Sequence, residues 1–174
     1  GYLRPIMRDV NGEPLLSMKE FVGYENVLGT SNSYVNSGGQ FSAHNALYSP
    51  KGSNGLPQPM FDPLTGVIDS SVANHWEKYD FKKYVQKHWE TLGPKLQGKI
   101  YIWMGDMDDF YLNTGTRGFD DFLKTTSNPK SDAVIEFSPM QGHCSQYSHK
   151  EVLLKIQERL DQLNSTEQHS SQKP

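Results

Sequence analysis

The clearest pattern of apolar positions lies in the second half of the chain, where two short apolar runs each end in polar residues. The first run, Ile100 to Met104, is continuous, and its β-branched and aromatic residues favour a strand over a short buried helix. Such a run is typical of a strand that helices cover on both faces, as in a parallel sheet. The second run, Ala133 to Phe137, predicts another short strand.

The residues that follow these two predicted strands are the candidate chemistry. Gly105 ends the first strand, and three acids follow it at once: Asp106, Asp108 and Asp109. The loop after the second strand ends in Gly142-His143. In open α/β sheets, ligands bind just beyond the carboxyl ends of the strands. If the strands are parallel neighbours, a carboxylate and an imidazole meet at one edge, as the acid and base of a catalytic triad must.

Helical spacing of apolar residues predicts the elements around the strands. Ser17 and Glu20 have the spacing of a capping box for a helix from Met18 to Leu28. Further helices are predicted over about 41–47, from Ser70 or Ser71 to Tyr79, over about 80–91 up to a stop at Leu92-Gly93-Pro94, over about 112–124, and after Ser148. The last helix carries an apolar stripe that predicts a buried face, formed by Val152, Leu153, Ile156, Leu160 and Leu163.

Three segments lack such periodicity. Residues 1–14 predict a loop with a turn at Asn11-Gly12, and residues 49–66, with four prolines, predict a long irregular segment of functional importance or an insertion. Residues 165–174 form a polar tail that we expect to be disordered, which leaves 1–164 as a single domain. Two strands do not form a stable parallel sheet alone. Either the first half contributes strands, or the chain is the terminal part of a larger sheet.

Composition excludes several classes of function. The chain has 174 residues, 35% of them hydrophobic, and a net charge of −3, which is ordinary for one globular domain. Without a Lys/Arg stripe or a long apolar run, we expect neither nucleic-acid binding nor a membrane span. The lone Cys144 excludes an internal disulfide and a cysteine-rich metal site. Because the chain begins at Gly1 rather than Met, we expect it to be a processed or cloned piece, so the absence of a signal peptide does not indicate a compartment.

Several short motifs occur in an order that resembles a known family. Gly105-x-x-Asp108 follows the first strand and Gly142-His143 follows the second. Further matching motifs lie upstream of the first strand: Tyr48-Ser49-Pro50, Phe61-Asp62-Pro63-Leu64-Thr65-Gly66, Trp76 and Tyr79-Asp80. From about Phe41 to Leu160 the chain resembles the C-terminal half of the esterase branch of the α/β-hydrolase fold. The resemblance implies an α/β fold: the C-terminal part of a three-layer sandwich with a mostly parallel sheet.

The resemblance also implies roles for particular residues. Asp108 corresponds to the acid and His143 to the base of a Ser-His-Asp triad, with Asp106, Gly105 and Gly142 in supporting positions. The order of Asp108 before His143 agrees with this fold, in which the triad follows the order serine, acid, histidine. The implied reaction is hydrolysis of a small-molecule or carbohydrate-linked ester, without a cofactor or a metal ion. A secreted or periplasmic location is favoured by the resemblance alone.

The sequence departs from the family at the nucleophile. No Gly-x-Ser-x-Gly motif occurs in the chain. The nucleophile and the oxyanion hole are therefore expected in a missing N-terminal half, unless the parent protein has lost them. We expect this chain alone to be inactive, and its partner to be that half or a second copy of the chain.

Other interpretations of the same residues stay open. The chain can be a degenerate, non-catalytic hydrolase-like module that binds a ligand or partner. The acids can cap the next helix or bind Ca²⁺, although their spacing is not that of an EF-hand. Four aromatics at helical spacing predict core residues or the wall of a substrate pocket: Trp76, Tyr79, Tyr84 and Trp89. The remaining histidines and Cys144 are expected to be structural or bystanders.

Overall fold

The structure is a computed structural model that describes residues 2–144 and 148–170. The elements in chain order are β1 Pro5–Arg8, β2 Pro14–Ser17, α1 Met18–Leu28, α2 Gln40–Tyr48, α3 Ser70–Trp76, α4 Phe81–Lys87, α5 Trp89–Leu96, β3 Tyr101–Gly105, α6 Leu112–Thr125, β4 Val134–Ser138 and α7 His149–Ser170. The fold is mixed α/β, as predicted. The side chain of Leu163 and the side chain of His169 lie outside the described part, as do residues 171–174.

The two predicted strands of the second half pair in parallel. The register runs from Tyr101 opposite Val134 to Gly105 opposite Ser138, and α6 forms the crossover between the strands. The carboxyl ends of β3 and β4 therefore lie side by side. The prediction that the acid loop and the histidine loop open on the same edge of the sheet is confirmed.

The N-terminal residues form a hairpin, so the prediction of a loop over 1–14 was wrong. β1 and β2 pair antiparallel, and the turn between them contains Asn11 and Gly12, where Gly12 has a φ of 92°. Each strand has only four residues and neither shows a regular alternation of apolar and polar positions, so periodicity gave no signal. In the described part of the chain this hairpin is separate from the β3–β4 sheet and does not widen it.

The parallel sheet is less covered than its sequence predicts. Tyr101 of β3 and Val134 of β4 are each 43% exposed, so full burial of the first strand was a wrong expectation. Helix α7 contacts the sheet through polar side chains: Lys155 Nζ lies 3.5 Å from Glu136 and 4.0 Å from the centre of the Tyr101 ring. The predicted buried stripe of α7 is 39–65% exposed at Val152, Leu153, Ile156 and Leu160. Two strands are too narrow to cover it.

Two small clusters form the core. One lies beside the parallel sheet and is built from α4, α5 and α6; its buried residues are Val85, Trp89, Phe119 and Leu123. The other joins α1 to the irregular segments and contains Val22, Tyr34 and Phe61. The aromatic rings of Tyr34 and Phe61 stack with centres 4.5 Å apart, and Tyr34 Oη donates to the Phe61 carbonyl at 3.0 Å.

Two predicted helix boundaries differ in the structure. The helix expected over 80–91 is two helices that meet at His88, and the second continues through Gly93-Pro94 to Leu96. Burial of Trp89, whose indole N–H donates to the Pro129 carbonyl at 2.9 Å, anchors this second helix. At the other end of the chain, α7 extends to Ser170, six residues into the predicted polar tail.

The residue that caps helix α3 lies one position before the first of the two predicted serine caps, so that prediction was wrong. Asp69 Oδ1 accepts from the backbone N–H groups of Ser71 and Val72 at 2.8 and 3.2 Å. The capping residue is therefore Asp69, because its short carboxylate reaches two orphan donors of the first turn. Hydrogen bonds from the Ser71 hydroxyl and from these backbone groups lower the pKa of Asp69 below its ordinary value. By contrast, the predicted Ser17–Glu20 capping box of α1 is confirmed.

A buried carboxylate joins α1 to α2. Glu25 is 2% exposed, and its oxygens accept from the backbone N–H of Phe41 at 2.9 Å and from Ser37 Oγ at 3.1 Å. The negative charge sits at the N-terminus of α2, where the helix dipole favours it. Gly39 makes this approach possible, because a Cβ there would collide with the Glu25 carboxyl group.

Among the described residues, no helix combines the length and apolar character needed to span a bilayer.

We expect Glu25→Ala to lower the free energy of unfolding by about 2–3 kcal/mol, because it leaves buried donors at the start of α2 unpaired. Chemical denaturation monitored by circular dichroism measures the change. Glu90→Ala is the matched control, since Glu90 is an exposed helical glutamate. Equal stability losses in both variants would contradict the role assigned to Glu25.

We also expect Asp69→Ala to lower the melting temperature more than Ser70→Ala, because Asp69 supplies the cap of α3. The folded state lowers the pKa of Asp69, so its contribution is present above the ordinary aspartate value of about 3.9. That contribution is lost as the pH falls through the lowered folded-state pKa. The difference between the two variants should therefore be large at pH 7 and shrink in strong acid; a larger loss in Ser70→Ala would be the contrary result.

Candidate active site

The ends of β3 and β4 bring an aspartate and a histidine into contact. Asp108, in the loop after β3, lies with its Oδ2 2.7 Å from Nδ1 of His143, in the loop after β4. The Asp108 side chain is 1% exposed, whereas that of His143 is 38% exposed. The distance fits a hydrogen bond in which His143 Nδ1–H donates to the carboxylate. The two residues chosen from sequence as acid and base therefore form a pair.

The second oxygen of the same carboxylate caps helix α6. Asp108 Oδ1 accepts from the backbone N–H of Phe110 at 2.9 Å and from that of Leu112, the first residue of α6, at 3.1 Å. The sequence offered a helix cap and a triad acid as alternatives for this cluster. The structure places both contacts on Asp108, one on each oxygen, and so fixes the orientation of the carboxylate.

The imidazole of His143 is held at a partly open position. The ring of Phe110 packs against it edge to face, with ring centres 5.3 Å apart. Because Nδ1 is turned towards Asp108, Nε2 is the ring nitrogen that a substrate or a nucleophile would meet. The neighbouring Cys144 is exposed and has a φ of 54°, in the left-handed region.

Backbone contacts join the acid loop to the histidine loop. Asp106 N donates to the Ser138 carbonyl at 2.9 Å, and Met107 N donates to the Gln141 carbonyl at 3.0 Å. Gly105 lies where the loops approach most closely, because a Cβ on it would collide with the carbonyls of Gln141 and Gly142. Gly105 and Gly142, which the sequence placed in supporting positions, therefore lie at the junction of the two loops.

The other two acids have different partners. Asp106 forms an ion pair with Arg117 of α6, and the Arg117 guanidinium also lies 4.2 Å from the centre of the Phe137 ring. Asp109 Oδ1 lies beside Gly142, since a Cβ on that glycine would meet it. The three carboxylates thus diverge instead of converging on one point. Within residues 2–144 and 148–170, no group of three or more His, Cys, Asp or Glu side chains could hold a metal ion.

Residues that the sequence did not point to also build this site. Arg8 of β1 contacts the acid loop and α6 through its backbone and its guanidinium. Asn113 Nδ2 donates to the Asp106 carbonyl at 2.7 Å. Arg8 is about a hundred positions from the loop it touches. No local motif could reveal that contact, because it depends on how the hairpin packs.

The predicted aromatic residues divide between the core and a surface cleft. Trp89 is buried, as expected of a core residue, whereas Trp76 and Tyr79 line a cleft of about 860 Å³ together with Tyr48. Tyr84 is 52% exposed and lies over His88. Three residues of α6 also line this cleft: Gly115, Thr116 and Phe119. The cleft and the Asp108–His143 pair are therefore connected through one helix, whose N-terminus Asp108 caps.

Comparisons with protein-family models, with curated proteins and with solved structures found no match for this chain. The resemblance to esterases stays a hypothesis, which rests on the motifs of the sequence and on the geometry of this site.

Proposed function

We propose that this chain carries the acid and the base of a serine esterase, with the nucleophilic serine outside the chain. The observation that carries the proposal is the 2.7 Å contact between Asp108 Oδ2 and His143 Nδ1 at the carboxyl ends of two parallel strands. The order of the two residues along the chain agrees with that of α/β-hydrolases. The substrate class is an ester of a small or carbohydrate-linked alcohol.

The chemistry follows from the properties of the two side chains. A serine hydroxyl is a weak nucleophile and needs a base within hydrogen-bond reach. His143 Nε2 would take the hydroxyl proton as the serine oxygen attacks the ester carbonyl. The imidazolium would then return that proton to the leaving alcohol. Asp108 would hold the Nδ1–H tautomer and stabilise the positive charge on the ring.

The exposure of the pair argues for a role beyond folding. Asp108 Oδ1 already accepts from two backbone N–H groups, that of Phe110 in the loop and that of Leu112 at the start of α6. Its second oxygen is nevertheless directed to a histidine that is 38% exposed. A buried, oriented acid with a partly exposed imidazole matches the needs of general base catalysis.

We further propose that the β3–β4 sheet is one end of a larger three-layer hydrolase sandwich. Support comes from the half-exposed residues of both strands and from the exposed apolar stripe of α7, which two strands cannot cover. Additional parallel strands would cover such surfaces. They are also the elements that place a nucleophile elbow at the same edge of the sheet.

The proposal predicts activity in a polypeptide that joins this chain to an N-terminal half with a Gly-x-Ser-x-Gly elbow. In that protein, Asp108→Asn and His143→Gln should each lower kcat for p-nitrophenyl acetate by about 10³–10⁴-fold, because base catalysis is lost. Asp106→Asn is the matched control, since Asp106 pairs with Arg117, and it should retain most of the activity.

Two results would contradict this proposal. One is an N-terminal half without a serine elbow, and the other is esterase activity that is indifferent to both Asp108→Asn and His143→Gln. The first result would favour the alternative, a hydrolase-like module that binds a ligand without turning it over. The second would show that the catalytic acid and base are not Asp108 and His143.

We expect the isolated 174 residues to hydrolyse p-nitrophenyl acetate no faster than their His143→Ala variant. Ser42, a serine upstream of Asp108, has a hydroxyl that is engaged elsewhere, since its Oγ donates to the Val35 carbonyl at 2.8 Å. The assay compares the wild-type chain with His143→Ala and Ser42→Ala. Hydrolysis that Ser42→Ala abolishes would place the nucleophile inside the chain and overturn this part of the proposal.

A further inference from the structure

One residue of the N-terminal hairpin holds the acid loop at three points. The backbone N–H of Arg8 donates to the Asp109 carbonyl at 2.9 Å. Its Nε donates to the Asp108 carbonyl at 3.1 Å, and its Nη2 donates to Asn113 Oδ1 at 3.2 Å. These contacts reach the loop at its acid and at the next residue, and they reach α6 in its first turn. They come from β1, an element that shares no sheet with β3 and β4.

The loop held in this way has an unusual backbone. Tyr111 has a φ of 61° and a ψ of 20°, in the left-handed region that a residue with a Cβ adopts at a cost. The Arg8 guanidinium lies 4.5 Å from the centre of the Tyr111 ring, as in a cation–π contact. Tyr111 directly precedes α6, and its own N–H donates to the Asp108 carbonyl at 3.1 Å. Arg8 therefore stabilises the conformation that aims the Asp108 side chain.

The geometry requires an arginine in particular. A guanidinium is planar, donates in two directions at fixed angles and stacks on an aromatic ring, whereas an ammonium offers a point charge on a flexible chain. Arg8 uses all three properties at once, with Nε, Nη2 and the face of the guanidinium on three different residues. A lysine at this position would keep the charge and lose the arrangement.

We propose that Arg8 is a positioning residue for the Asp108–His143 pair. By fixing the Asp108 backbone and the start of α6, it sets the carboxylate where Oδ2 meets His143 Nδ1. Its importance for catalysis rests on the proposed esterase function, but its effect on the pair does not. The β1–β2 hairpin, where the sequence predicted a loop, thus belongs to the site.

The test reads the pair directly in the isolated chain. At alkaline pH, where imidazoles are neutral, the ring ¹⁵N chemical shifts of His143 report which nitrogen carries the proton. Spectra of Arg8→Gln and Arg8→Lys are compared with the wild type, and His143→Gln assigns the signal. Arg4→Gln is the matched control, because Arg4 is an exposed arginine of the same segment, just before β1. Melting temperatures are recorded for every variant.

We expect the Nδ1–H form to predominate in the wild type and in Arg4→Gln, and to become the minor form in both Arg8 variants. Faster amide exchange at Phe110 and Leu112, whose N–H groups bind Asp108 Oδ1, should accompany that loss. Wild-type spectra in either Arg8 variant would overturn the proposal. So would a lower melting temperature with an unchanged tautomer, since that is the mark of a purely structural residue. Failure of the esterase assay with an intact Nδ1–H form would count against the proposed function and leave the role of Arg8 standing.

Discussion

The carboxylate of Asp108 is the group on which the second half of this molecule depends. A carboxylate that is 1% exposed is costly to bury unless it is hydrogen-bonded. Asp108 accepts from the backbone N–H groups of Phe110 and Leu112, and its other oxygen meets the imidazole of His143. The same burial that demands these partners also removes competing water from them. One side chain therefore contributes to the start of α6, to the conformation of the loop before it and to the orientation of His143.

This sharing explains why the two alternatives that the sequence left open were not exclusive. Three acids before a helix are equally compatible with a cap and with a catalytic acid, because both use a carboxylate at the carboxyl end of a strand. Which of the three is used depends on the backbone of the loop. The left-handed Tyr111 turns the chain so that Asp108 points inwards, while Asp106 faces Arg117. Only the structure separates them, although Gly-x-x-Asp had singled out Asp108 by resemblance.

The parts of the fold that were predictable are those that local signals encode. The apolar runs Ile100 to Met104 and Ala133 to Phe137 predicted the two strands of the parallel sheet, and the Ser17–Glu20 spacing predicted the start of α1. The contacts that were missed join residues far apart in the sequence. Glu25 finds its donors at Phe41, and Arg8 finds its own about a hundred positions away. Such pairs leave no periodicity, because neither residue changes the pattern of apolar positions around it.

Helix α7 shows a different limit of the same reasoning. Its stripe of apolar residues correctly indicated a helix, but hydrophobic spacing identifies a face without identifying what covers it. The β3–β4 sheet has two strands. Helix α7 meets it through Lys155, which pairs with Glu136 of β4, while Arg159 pairs with Asp132 just before β4. An apolar face turned outward beside a narrow parallel sheet is the arrangement expected where a wider sheet would continue. The exposed stripe of α7 is therefore an observation about packing that does not depend on the proposed chemistry, because it concerns only the area that two strands can cover.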